Sequence, residues 1–165
     1  MITIRESGMA FGPYDERDVF EIEKSGLVRS IQPGVKSAEF VLIKNGYLWI
    51  VEAKSSSPKP GNQEKFDSFI EEIHEKFANT FLVVNAAKIG RHDASEFPSS
   101  FGSVDIKNVQ YKFFLVIKGH LTEWLPPLQD ALQMVMNRLV KACNIAMPAV
   151  FVMNDTLARE KGLIG

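Results

Sequence analysis

The sequence of 165 residues has one cysteine, little net charge and no long hydrophobic run. Because Cys143 is alone, a disulfide within the chain is excluded, which fits a reducing compartment. The formal net charge of -1 creates no overall electrostatic field that attracts nucleic acid. A nucleic-acid-binding surface would therefore have to be a local positive patch. No apolar run approaches the ~20 residues of a membrane span, and residues 1–12 lack the apolar core of a signal peptide. We therefore expect a cytoplasmic protein without a membrane segment.

What is present is typical of a folded domain, with 45% hydrophobic and 24% charged residues. The length predicts a single domain over residues 1–165. Periodicity predicts a β-hairpin, then helix, strand, helix, strand and helix, over residues 38–54, 62–79, 109–119, 125–144, 148–154 and 155–162. Residues 81–87 fit either helix or strand, and residues 20–23 favour a strand within a poorly assigned N-terminal part. This alternation predicts an α/β sandwich with helices on both faces of a mixed sheet.

The hairpin is the most informative stretch of the sequence. Its two β-rich runs are joined by Asn45-Gly46, the strongest short-range signal for a two-residue turn. With this turn, Glu39 faces Glu52 across the hairpin, and the two side chains point to one side with Cβ atoms ~5 Å apart. Lys54 lies two residues further along the same face. The sequence therefore predicts two acids and a lysine at one end of an otherwise apolar hairpin.

Two like charges directly opposed on a sheet are destabilising, so the Glu39–Glu52 pair needs compensation. Three kinds are open: a proton shared by the two acids, neutralisation by Lys54, or a bound divalent cation. Hard cations prefer oxygen ligands, and Mg²⁺ usually takes one or two carboxylates plus water and phosphate. If the like charges dominate, Glu52→Gln leaves the stability of the metal-free protein unchanged or raises it slightly.

The pattern resembles the PD-(D/E)XK nuclease superfamily, whose fold is restriction-endonuclease-like. That family has an acid on one strand of a hairpin and then an acid, any residue and lysine on the next. Here these are Glu39 and the triplet Glu52-Ala53-Lys54, which follows the apolar run LWIV. The helix, strand, helix and strand that follow also match the family's core order. The chain departs from the pattern at Ala38-Glu39, where the family has Pro-Asp.

The resemblance implies a restriction-endonuclease-like three-layer sandwich and a nuclease that hydrolyses phosphodiesters, with DNA as the expected substrate and Mg²⁺ or Mn²⁺ as the cofactor. Carried over, Glu39, Glu52 and the carbonyl of Ala53 would be metal ligands, and Lys54 the catalytic lysine. Glu23, with Glu21 as the second choice, would be the further upstream acid of the metal site. Small relatives often work as dimers, so a homodimer is a further expectation.

Two features of the first long helix bear on this interpretation. Its start carries Gln63, near the place where some relatives have a glutamine. Its predicted outer face is acidic, with Glu64, Asp67, Glu71, Glu72 and Glu75. That face should repel a duplex, so DNA would approach from the sheet edge near Lys54. The competing interpretation is a catalytically inactive relative that serves as a nucleic-acid- or protein-binding module.

Overall fold

The computed structural model describes all residues from Met1 to Gly165. Its centre is a five-stranded mixed sheet, whose strands in spatial order are β3 (Val19–Phe20), β4 (Phe40–Lys44), β5 (Tyr47–Lys54), β6 (Gln110–Ile117) and β7 (Val150–Asn154). The helices are α1 (Gly26–Ser30), α2 (Gln63–Lys88), α3 (Ser99–Gly102), α4 (Leu125–Ala142) and α5 (Asp155–Glu160). A separate antiparallel ribbon consists of β1 (Ile2–Glu6) and β2 (Met9–Tyr14). The predicted α/β class with a mixed, helix-flanked sheet is confirmed.

The predicted hairpin has the predicted register from the Phe40–Val51 pair to the Lys44–Tyr47 pair, but the predicted Glu39–Glu52 pair is not part of the ladder. Leu42 faces Trp49 and Lys44 faces Tyr47, while Asn45 and Gly46 have positive φ values of 53° and 78°. A turn with two positive φ angles needs residues that tolerate them, which is why the Asn-Gly signal is specific. From β5 onward the sheet is parallel, because β5, β6 and β7 are joined by helical crossovers.

The two long helices, α2 and α4, lie together on one face of the sheet. They bury a common core with strand side chains such as Ile50, Phe113 and Leu115. Right-handed crossovers that proceed in one direction along a sheet place their helices on the same face. Residues 81–87, which fitted helix or strand, extend α2 to Lys88. None of the helices combines the length and apolar character that crossing a bilayer requires.

The opposite face of the sheet carries only one short helix, together with a β-ribbon that was not predicted. It is covered mainly by the β1–β2 ribbon, and the six-residue α5 completes the cover. Phe11 of the ribbon packs against Phe40 at 5.4 Å between ring centroids, beneath Trp49 and Phe114 of the sheet core. The ribbon strands are short, and the predicted strand at 20–23 contains only Val19–Phe20 before a 3₁₀ turn. β2 contains Gly12 and Pro13, two residue types that are depleted in strands, so its sequence signal is weak.

Candidate functional site

The predicted residues meet at the carboxyl end of β5, on the side of the sheet that α2 covers. Glu52 is fully buried, and Lys54 is 23% exposed. Glu39 is partly buried and lies one residue before β4. Its N–H donates to the carbonyl of Val51 at 3.1 Å, so the regular ladder ends at the Phe40–Val51 pair. The structure nevertheless keeps the Glu39 and Glu52 carboxyl groups close enough to interact electrostatically.

Glu52 has one satisfied and one unsatisfied oxygen. Its Oε1 accepts a hydrogen bond from Lys76 Nζ at 2.8 Å and lies 3.4 Å from Lys54 Nζ. Its Oε2 is buried and has no hydrogen-bond partner. Burial raises the pKa of Glu52, while the ammonium groups of Lys76 and Lys54 act in the opposite direction. A buried oxygen without a partner is costly, so Oε2 marks a position where a ligand would be favourable.

Lys76 is the site residue that sequence reasoning missed. It lies on α2 with its side chain only 10% exposed. The sequence does contain a signal for its burial. Lys76 lies three residues after Ile73 and next to Phe77, so it falls on the apolar stripe of the helix. A lysine on such a stripe is rarely buried without a partner. It therefore indicates an acid on the element beneath, and Glu52 is that acid.

Two α2 residues differ from their predicted roles. Gln63 lies in the first turn of α2, where its amide donates to Asp67 at 2.7 Å and is exposed, so it takes no part in the site. Glu72 was predicted on the outer acidic face, but its Oε1 accepts a hydrogen bond from Lys54 at 2.7 Å. That bond lowers the pKa of Glu72. The α2 side chains that face the site are therefore Glu72 and Lys76.

Glu39 is an unusual carboxyl group. Its pKa is raised to about 8, first by burial, then by a hydrogen bond with Glu23 and by the negative charges of Glu52, Glu23 and Glu6. Glu23 itself is 42% exposed and lies 3.8 Å from Lys76 Nζ. Two of the compensations predicted from sequence, a shared proton and neutralisation by a lysine, therefore occur with different partners. Glu39 shares a hydrogen bond with Glu23 instead of Glu52, and Lys76 is the main neutralising group of Glu52.

The tip of the β1–β2 ribbon closes the edge of the site. The Ser7 hydroxyl donates to the carbonyl of Ala53 at 3.0 Å, and Glu6 pairs with Lys24 Nζ at 2.5 Å. A carbonyl oxygen has two lone pairs, so the bond from Ser7 leaves Ala53 with a second acceptor position. The ribbon was not predicted, and neither residue was expected near the site.

A surface groove of about 460 Å³ borders this site. It is lined by Pro58, Asn62, Glu64, Lys65, Ser68, Phe69 and Glu72. Glu72 is the same residue that binds Lys54, so the groove continues from the site toward the start of α2. Its size is in the range of small-molecule pockets, and Phe69 gives it an apolar surface.

No group of three or more His, Cys, Asp or Glu side chains is arranged to hold a metal ion. Smaller donor sets suffice for Mg²⁺, which takes one or two carboxylates and completes its shell with water and phosphate. Oε2 of Glu52, the carboxyl of Glu39 and the carbonyl of Ala53 are hard oxygen donors of this kind. The chemistry of these residues therefore fits one hard cation that keeps several water molecules.

Comparison with known proteins gives this chain no relative: no family model, curated protein or solved structure matches it. Function is therefore inferred from the chemistry at the carboxyl end of β5.

Proposed function

We propose that the protein is a divalent-metal-dependent phosphodiester hydrolase of the restriction-endonuclease-like fold, with Mg²⁺ or Mn²⁺ as cofactor and DNA as substrate. One observation carries the proposal: Glu52 is fully buried, its Oε2 has no partner, and Glu39 and Lys54 stand beside it. Burying a carboxylate with an unpaired oxygen costs free energy. Its presence in the folded protein therefore favours a functional role for Glu52 over a structural one.

In this proposal Glu39, Glu52 and the carbonyl of Ala53 hold the metal ion. A bound divalent ion supplies a water of lowered pKa and stabilises negative charge on phosphate. Lys54 has the role of donor to the attacking water or to a phosphate oxygen, because its ammonium is charged and partly exposed. Glu72 holds the Lys54 side chain through their hydrogen bond at 2.7 Å. The groove lined by Phe69 and Lys65 then offers space for a neighbouring nucleotide.

The test is calorimetric titration of Mn²⁺ into the wild-type protein and into Glu52→Gln. We expect binding by the wild type and its loss in Glu52→Gln, because the neutral amide replaces a carboxylate ligand. Glu71→Gln is the matched control, since it makes the same chemical change on an exposed part of α2 outside the groove. Cleavage of plasmid and oligonucleotide DNA follows, and Lys54→Ala should abolish cleavage while Mn²⁺ still binds. If neither the free protein nor its mixture with DNA binds Mn²⁺, the proposal is contradicted.

A second candidate function is supported by a specific observation. Glu52 Oε1 already has two ammonium neighbours, Lys76 and Lys54, so the cluster is partly neutralised without a metal. That state suits a catalytically inactive member of the fold that binds nucleic acid or protein. This function predicts DNA binding without cleavage, with an affinity that neither Mn²⁺ nor Glu52→Gln changes.

A further inference from the structure

Lys76 stands among the three acids of the site. Its Nζ donates to Glu52 Oε1 at 2.8 Å and lies 3.8 Å from Glu23 Oε1. Glu39 is close enough for its ionised form to act on this ammonium. A lysine in this position supplies a positive charge that does not dissociate from the protein.

The fold fixes this ammonium in place. Phe77, the next residue on α2, is fully buried, and the Lys76 side chain itself is nearly so. The carbonyl of Lys76 accepts the Thr80 hydroxyl at 2.8 Å, and the same hydroxyl accepts the Ala38 N–H at 2.8 Å. One turn of α2 therefore positions both the cation and the chain just before Glu39.

We propose that Lys76 is a built-in cation, so that the site takes one divalent metal ion and not two. This inference rests on the proposed metal-dependent function and goes beyond it. A second ion on the Oε1 side of Glu52 would lie against the Lys76 ammonium, and like charges at such a distance repel strongly when shielded from water. Oε2, which has no hydrogen-bond partner, is the oxygen of Glu52 left for the metal.

The inference also gives Glu23 a role different from that predicted from sequence. Glu23 was expected to be a metal ligand, but its Oε1 lies 3.8 Å from Lys76 Nζ, and its backbone N–H donates to the carbonyl of Glu39 at 3.5 Å. In the proposed arrangement the carboxylate of Glu23 contacts the Lys76 ammonium on the side of that group nearest to solvent. Lys76 and Glu23 are thus positioning residues, because they act through Glu52 and Glu39 and do not contact the ion.

The first test measures the number of Mn²⁺ ions bound per chain by calorimetry. We expect one ion in the wild type and one in Lys76→Arg, which keeps the charge. In Lys76→Met we expect a second, weaker ion, because only the ammonium of Lys54 then remains near Oε1, at 3.4 Å. Circular dichroism confirms that each variant is folded. Two ions bound by the wild type, or one ion bound by Lys76→Met with unchanged affinity, would overturn the inference. No binding by the wild type with or without DNA would instead contradict the metal-dependent function itself.

A second variant keeps the inference testable even if Lys76→Met fails to fold. Glu23 is partly exposed, so Glu23→Gln is expected to fold normally. Because Glu23 faces the ammonium and not the ion, Glu23→Gln should still bind one Mn²⁺, with affinity within about twofold of the wild type. A loss of about tenfold or more, of the size seen when metal-site residues are altered, would place Glu23 in the metal shell and overturn the inference.

Discussion

Two ion pairs of similar length lie in opposite surroundings in this molecule. Lys76 and Glu52 are 2.8 Å apart in the buried corner between α2 and β5, while Arg17 and Asp15 are 2.6 Å apart in an exposed loop. Water screens the exposed pair, so its contribution to stability is small. Breaking the buried pair leaves one charge without water or partner. The surroundings of an ion pair, and not its length, therefore decide its energetic importance.

The largest effect is expected from Lys76→Met. The change leaves the Glu52 carboxylate buried, with only Lys54 nearby, so the free energy of unfolding should fall by about 3–5 kcal/mol. Guanidinium denaturation of the metal-free protein measures it. The double variant Lys76→Met/Glu52→Gln should recover much of the loss, because it buries no charge at these two positions. A loss below about 1 kcal/mol would mean that the pair is no stronger than an exposed one.

The next effect is a change in pH dependence, expected from Glu39→Gln. The folded pKa of Glu39, about 8, lies above its ordinary value of 4.5. The native state therefore keeps a proton that the unfolded chain releases, and this contribution to stability is lost as pH rises from about 4.5 to about 8. Glutamine cannot ionise, so Glu39→Gln should become more stable relative to the wild type across this window.

Urea midpoints at about pH 5, 7 and 9 measure this change in the metal-free protein. Glu71→Gln, on the exposed part of α2 and away from its first turn, is the control and should parallel the wild type at each pH. If the difference between Glu39→Gln and the wild type stays constant with pH, then Glu39 titrates as an ordinary carboxylate.

The smallest effect is expected from Asp15→Asn, in the exposed pair. Hydrogen bonds from Arg17 hold the pKa of Asp15 below its usual range, yet both side chains lie in water. The urea midpoint should stay within experimental error of the wild type. A loss of stability as large as that of Lys76→Met would mean that the exposed pair and the buried pair contribute equally.

Local signals predicted the part of the site that lies on one hairpin. The Asn45-Gly46 turn fixes the register from the Phe40–Val51 pair to the Lys44–Tyr47 pair, and Glu52 and Lys54 follow on β5 while Glu39 lies just before the ladder. The amphipathic stripe likewise predicted α2 and its buried face. These predictions succeeded because each depends on residues close together in the chain.

The rest of the site depends on contacts between distant segments. Lys76 reaches Glu52 from another element, and Ser7 reaches Ala53 from a ribbon with weak sequence signals. The like-charge argument predicted that Glu52→Gln would be neutral or slightly stabilising in the metal-free protein. With Lys76 as partner the sign reverses, since the substitution leaves a buried ammonium. A pairwise argument from one hairpin could not include a charge supplied by a helix.

The ribbon that closes the site has a consequence for the order in which the protein can assemble. Gly12 N–H and Tyr14 Oη both donate to the carbonyl of Leu163, and Phe11 pairs with Ile164. A ribosome makes residues 11–14 long before residues 163 and 164. While the chain is still being synthesised, the ribbon therefore lacks the segment that fastens it. The edge of the site near Ser7 and Ala53 would thus be among the last parts of the nascent protein to close.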